Sequence, residues 1–249
     1  KGAHMWKLFF EICDILVCFI PDRNVRRRIR HKRLFDWRDK YRALRAAQPE
    51  LRFAHVKMIK GGWNIGFIVD NKYVFITRKF LDTSVPAERI MREKRITDAF
   101  EHISPLAIPK IEIVHAGQYV FYKYNFIRGR NMNKLPTRTI ARNRELWGRQ
   151  LAEFITAVHH ARPAEIRDLQ RGAGDGWNHN DICNNIIVDT RTMRVAGLID
   201  WEYAGWGTLE TEFNNCTAFS SHMRASGIMD VIRREYAKMN PTESSESAQ

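Results

Sequence analysis

The stretch WNHNDICNNIIVDTRTMRVAGLIDWEYAG, residues 177–205, sets two carboxylates, Asp181 and Asp200, inside apolar frames. Two asparagines, Asn184 and Asn185, follow the first acid closely. The runs NIIVD and VAGLID read as short strands around the turn Thr190-Arg191-Thr192. A loop leading into the first strand holds Asp181 at its entrance, and Asp200 ends the second. Folding one strand back on the other brings an amide at the start of the first toward an acid at the end of the second. One carboxylate can then take a proton from a hydroxyl. The asparagine and the other carboxylate can hold Mg²⁺, which prefers oxygen ligands. Phosphoryl transfer needs this division of labour: little covalent chemistry, much positioning and charge neutralisation.

Other elements must carry these groups. Residues 53–80, FAHVKMIKGGWNIGFIVDNKYVFITRKF, show two alternating apolar runs around Asp70-Asn71-Lys72, the pattern of a β-hairpin. Gly61 and Gly62 stand upstream of that turn, followed by Asn64 and Gly66. VPAERIMREKRITDAF, with Pro86 in its first turn, predicts a helix. IEIVHAG and YVFYKYNFI predict two more strands. RELWGRQLAEFITAVHHA repeats apolar residues at positions 147, 151, 154, 155 and 158, one face of a helix. From Glu210 to about Met239 the chain again reads as helical. Strands concentrate in the first half and helices in the second, an α+β arrangement of two lobes. The implied boundaries are an expression scar over 1–4, an apolar and basic helical extension over 5–48, a nucleotide-binding N-lobe over 49–124, a short helical catalytic C-lobe over 125–240 and a disordered tail over 241–249.

The chain has 249 residues, 44% of them apolar, so a packed core is within reach. Its net charge of +13 suggests an anionic partner. Between Asp22 and Arg45 stand eleven Lys/Arg and three Asp. The sixteen residues before them, WKLFFEICDILVCFIP, are too short and too charged for a membrane span and lack a signal-peptide cleavage site. Residues 5–45 suit either an anionic membrane surface or a helix packed on its own domain with a solvated basic face. No nucleic-acid-binding module is recognisable, so no nucleic acid is expected. Four cysteines without paired spacing fit a reduced, cytoplasmic setting, with peripheral attachment to the inner face of the membrane on the first of those readings. His179 and Cys183 make at most half a zinc site.

HND-x-x-N-N-I-I-V followed by LIDWEYAG resembles the catalytic core of the choline/ethanolamine kinase and aminoglycoside phosphotransferase superfamily, relatives of the protein kinases. Gly61-Gly62-Trp63-Asn64 resembles its phosphate-covering turn, Glu93 its helix glutamate, YNFIRGRNM its interlobe linker and LAEFITAVHHA the helix before the catalytic loop. The likeness covers about residues 55–213 in the family's order. It implies a bilobal protein-kinase-like fold and transfer from ATP, assisted by Mg²⁺, to an alcohol hydroxyl. By the same likeness Asp181 is the base, Asp200 with Asn184 or Asn185 holds the metal, and Gly61, Gly62, Asn64, Arg78 and Glu93 serve the nucleotide. Glu202 touches substrate or metal, or else caps the following turn. Two departures stand out. The gap between Asp181 and the asparagine is shorter than the family's. The strand YVFITRKF has no lysine where the family's cation should be: one alignment puts Arg78 there, paired with Glu93, and the other puts Ile76 there and leaves the cation absent.

Three readings of function follow. The acceptor is a cell-envelope sugar or glycolipid, as in bacterial lipopolysaccharide kinases, which suits the basic lead-in and the 36 residues left after Phe213. It is choline, ethanolamine or another small alcohol, to which IDWEYAG points. Or the chain is a nucleotide-binding pseudokinase that acts as a scaffold.

Overall fold

The computed structural model describes residues 19–22, 35–60, 64–78 and 87–241. Contacts divide the chain into two compact units, one of residues 1–70, 75–82 and 113–121, the other of residues 71–74, 83–112 and 122–249.

A five-stranded sheet runs in the order β1-β2-β3-β5-β4. Its strands are β1 (Val56–Lys60), β2 (Asn64–Val69), β3 (Tyr73–Arg78), β4 (Glu112–Ala116) and β5 (Tyr119–Asn125). The sequence predicts one hairpin where the structure has three strands. β1 pairs antiparallel with β2, Val56 facing Val69 and Lys60 facing Ile65. Its two lysines and the lack of a proline or Asx turn after it hid its boundary. The hairpin between β2 and β3 turns on Asp70 and Asn71, both left-handed at φ +54° and +52°. That geometry matches strand twist, and Asx residues tolerate it. Helix α1 (Phe35–Ala47) buries Leu44 and stacks Tyr41 on Phe67, 5.6 Å between centroids, while Arg42 and Arg45 face solvent. For residues 35–47 this is a helix packed on its own domain. Residues 5–18 and 23–34 of the expected extension lie outside the described residues. Among those described, no helix is long and apolar enough to cross a membrane.

The second unit holds helix α2 (Ala87–Phe100) and the 24-residue helix α3 (Thr137–His160). Trp147, Leu151, Phe154, Ile155 and Val158 of α3 are all buried, the face that the 3.6-residue period predicts. Against this core lie a three-stranded sheet β6-β8-β9 and a two-stranded pair of β7 and β10. The strands are β6 (Arg130–Asn131), β7 (Gly176–Asn178), β8 (Ile186–Asp189), β9 (Arg194–Leu198) and β10 (Gly205–Gly207). A single helical turn, α4 (Ile182–Asn185), precedes β8. Helices α5 (Leu209–Phe219), α6 (Ser221–Ser226) and α7 (Ile228–Met239) complete the unit. α3 grips the β8–β9 hairpin by two hydrogen bonds. Trp147 Nε1 donates to Met193 O at 2.7 Å, and Val195 N donates to Gln150 Oε1 at 3.1 Å.

α3 meets α7 where Gly148 faces Val231. A Cβ on Gly148 would stand 2.5 Å from Val231 Cγ1 and 2.8 Å from its Cβ. Valine branches at Cβ and cannot swing aside. Gly148→Ala therefore lowers the unfolding free energy by about 1–3 kcal/mol in urea titration, even though alanine gains about 1 kcal/mol over glycine in an open helix. Adding Val231→Ala recovers part of that loss. A stabilised single variant would show that the helices are not in close contact there.

Candidate active site

Asp181 lies between β7 and α4, and its side chain is satisfied by the next turn of chain. Oδ1 accepts the Asn184 amide at 2.7 Å, and Oδ2 accepts the Asn185 amide at 2.9 Å. Asn185 Nδ2 also donates to the Asp181 carbonyl at 2.9 Å. A carboxylate and a carbonyl only accept, so the nitrogen of each amide must face Asp181. Burial raises the carboxyl above its ordinary 3.8, the two amides pull it down, and the charge of Glu202 pushes it up again. The sequence places Asp181 at the entrance of a strand. The structure puts one helical turn between them, which brings residues i+3 and i+4 back over the acid.

Asp200 is fixed through both of its neighbours. Ile199 N donates to Asn185 O at 3.1 Å, and Ile199 O receives His179 Nε2 at 3.2 Å. His179 Nδ1 in turn accepts the Asp181 N–H at 3.3 Å, so the imidazole is neutral and carries its proton on Nε2. Burial holds it so, lowering its pKa to about 4. Trp201 N donates to Glu93 Oε1, a buried carboxylate of α2, at 3.1 Å. Asp200 was expected to end its strand. β9 stops at Leu198, and Asp200 is left-handed at φ +63°, which turns the chain out of the sheet.

The acids share one neighbourhood. Burial and then the charges of Glu93, Asp200 and Glu202 raise the Tyr122 phenol, and Glu202 also acts on Asp181. Glu202 pairs with Arg89 of α2 at 3.3 Å, and its carbonyl accepts Arg92 Nη1 at 3.4 Å. In a chain of charge +13 such a concentration of oxygen donors suits a hard divalent cation. Among the described residues no group of three or more His, Cys, Asp and Glu side chains could hold a metal. One carboxylate and one amide oxygen, completed by water and phosphate, is the donor set typical of Mg²⁺. The asparagines differ here. Asn184 Oδ1 accepts Asn133 Nδ2 at 2.8 Å, whereas Asn185 Oδ1 accepts no hydrogen bond among the described residues. Zinc at His179 and Cys183 does not fit, since both imidazole nitrogens are engaged and Cys183 is a buried thiol pushed up to about 12 by burial.

Residues 165–239 match the model of a phosphotransferase enzyme family. Among curated protein sequences none matches. Solved structures match over most of the chain. The ADP-bound aminoglycoside phosphotransferase APH(2'')-Ib is 14% identical with a TM-score of 0.59, over 78% of this chain and 81% of its own. APH(3'')-Id from Streptomyces rimosus is 14% identical at 0.55, over 82% and 92%. A type I macrolide 2'-phosphotransferase is 13% identical at 0.56, over 83% and 84%. The chain has the aminoglycoside phosphotransferase fold, a relative of the protein-kinase fold.

In this phosphotransferase fold the second unit brings together Asp181, Asn184, Asn185, Asp200, Glu202 and Glu93. Gly61 and Gly62 lie outside the described residues. Asn64 opens β2 and Arg78 closes β3, both half-buried in the first unit. Three residues that the sequence did not single out join the site: Asn133, Ser220 and Glu212. Glu212 of α5 is buried, and its Oε2 accepts the N–H of Asn180, the left-handed residue before Asp181, at 2.9 Å. No motif marks it.

Burial raises Glu212 from 4.5 to about 7, against the pull of backbone N–H groups at 180 and 179. Between those values the folded chain binds more protons than the unfolded one, so stability falls as pH rises. His179, lowered from 6.5 to about 4, acts in the opposite sense and raises stability with pH across its own window. The two largely mask each other in the whole protein. Glu212→Gln keeps an acceptor for Asn180 and removes one titration. The unfolding free energy of wild type relative to this variant, measured from pH 4.5 to 7.5, therefore declines by on the order of 3 kcal/mol. A flat difference would mean the carboxyl stays ionised throughout.

Proposed function

We propose that the chain moves the γ-phosphate of a nucleoside triphosphate, ATP in the first instance, to a hydroxyl of a small molecule. The observation that carries this is the Asp181 carboxylate, oriented by amides on both oxygens and joined through Asn185 O and Ile199 N to the residue before Asp200. Asp181 accepts the proton of the incoming hydroxyl. Burial raises its affinity for protons, which suits a base, while the two amides favour its ionised form. Asp200 and Asn185 Oδ1 would hold Mg²⁺, which supplies charge neutralisation for the phosphates when bound. By the family resemblance Gly61, Gly62 and Asn64 are assigned to the nucleotide, and Arg78 to the cation that the family's lysine usually provides. Glu93 braces the segment after Asp200 through Trp201. Glu202 has its charge compensated by Arg89, which favours a bracing role over contact with a cationic acceptor.

The relatives' names speak of aminoglycosides and of a macrolide, both sugar-bearing small molecules. A chain of charge +13 is poorly matched to a polycation, and the same argument disfavours choline and ethanolamine. A neutral or anionic sugar hydroxyl, free or on an envelope glycolipid at an anionic membrane surface, fits better. An intact acid and amide set supports an active enzyme over a scaffold.

The test is transfer of label from γ-labelled ATP or GTP to a panel of aminoglycosides, a macrolide, choline, ethanolamine and envelope glycolipid. Label is expected on a sugar hydroxyl. Asp181→Asn should lower transfer by about 10³-fold while nucleotide binding persists. Asp200→Asn, which tolerates the left-handed backbone, should blunt the response to Mg²⁺. Wild-type turnover by Asp181→Asn would remove the reading.

A further inference from the structure

Asp181 is the end of a longer chain of hydrogen bonds. Asn184 Nδ2 donates to Asp181 Oδ1 at 2.7 Å, Asn133 Nδ2 donates to Asn184 Oδ1 at 2.8 Å, and Ser220 Oγ donates to Asn133 Oδ1 at 2.8 Å. The Ser220 oxygen accepts the Met223 N–H at 3.3 Å as the cap of α6. Each member has one allowed polarity. The ionised acid can only accept, which turns the Asn184 nitrogen inward and its oxygen toward Asn133. Asn133 must then donate to Asn184, and its own oxygen is left to receive the serine proton. Asn133 and Asn184 are further tied at the backbone. Asn133 N donates to Asn131 Oδ1 at 2.9 Å, and Asn131 Nδ2 donates to Asn184 O. Ser220 is buried, so its hydroxyl is shielded from water.

We propose that Asn184, Asn133 and Ser220 are positioning residues for Asp181, a one-directional relay that sets the rotamer of the carboxylate from the junction of α5 and α6. The proposal rests on the phosphotransfer reading for its catalytic meaning, but its geometry stands apart from it. Asn184 is then an orienting residue rather than a metal ligand. Removing the serine proton frees Asn133 to turn over. Asn184 can then present oxygen instead of nitrogen to the acid, replacing attraction by repulsion. Aligned amide dipoles also reinforce one another, so a loss three bonds away is felt at Asp181.

The experiment follows the Asp181 carboxyl by ¹³C NMR in aspartate-labelled full-length protein, the signal being assigned by its loss in Asp181→Asn. In Asn133→Ala and in Ser220→Ala the Asp181 titration should move up by about half a pH unit or more. Ser220→Thr, which keeps hydroxyl and cap, should restore it. Asn133→Ala leaves the α6 cap intact and so separates the relay from a simple fraying of the helix. Where an acceptor has been found, both alanine variants should lose about tenfold in kcat, with KM for nucleotide unchanged. Folded variants, shown by their amide spectra, whose Asp181 titration does not move would overturn the proposal. Titration that responds in a chain inactive on every acceptor would uphold the relay and count against phosphotransfer alone.

Discussion

A carboxylate withdrawn from water stays ionised only where the protein supplies donors in place of the solvent. At Asp181 a single turn of helix supplies them, and the arrangement of the second unit follows from holding that turn still. β8 fixes its exit, and His179 ties its entry to Ile199. α3 in turn anchors the β8–β9 hairpin through Trp147 and Gln150. The long buried face of α3 is thus the foundation on which a few polar atoms keep their places.

α2 plays the complementary part. Glu93 takes the Trp201 N–H, Arg92 reaches the carbonyls of Glu202 and Ala204, and Arg89 faces the Glu202 carboxylate. One helix face therefore clasps the segment after Asp200 by backbone and side chain together. The buried Trp201 ring lies 5.0 Å from His179 and 5.7 Å from Phe100 of α2, so apolar packing and polar bracing act on the same few residues. Glu93 was anticipated as a partner of a cation. Its bond to Trp201 N ties it to the residue after Asp200.

What could be read from the amino acids divides along physical lines. α3 was legible because its apolar residues repeat at the helical period and all five are buried. β8 and β9 were legible as short apolar runs about a turn. The closeness of Asp181 to Asn184 and Asn185 was legible because a few residues of chain cannot carry them far apart. β1 escaped because lysines interrupt its apolar pattern. The left-handed backbone of Asp200 escaped because an aspartate carries no sign of its φ. Asn133, Ser220 and Glu212 escaped for another reason. The hydrogen bonds that tie them in span 51, 87 and 32 positions of chain, and a serine, an amide or a lone glutamate has no period to announce it.

The short gap between Asp181 and Asn185 closes this loop into a ring, with Asn185 bonded both to the acid's side chain and to its carbonyl. Each residue added within that ring would rotate Asn185 by about 100° about the helical axis. It would leave one carboxylate oxygen bare and swing the amide oxygen off its line. Most surface loops tolerate added residues, but in this chain the ring ties the count of residues to the amide at position 185. In this chain an added residue is therefore borne by the segments around the loop and not within it.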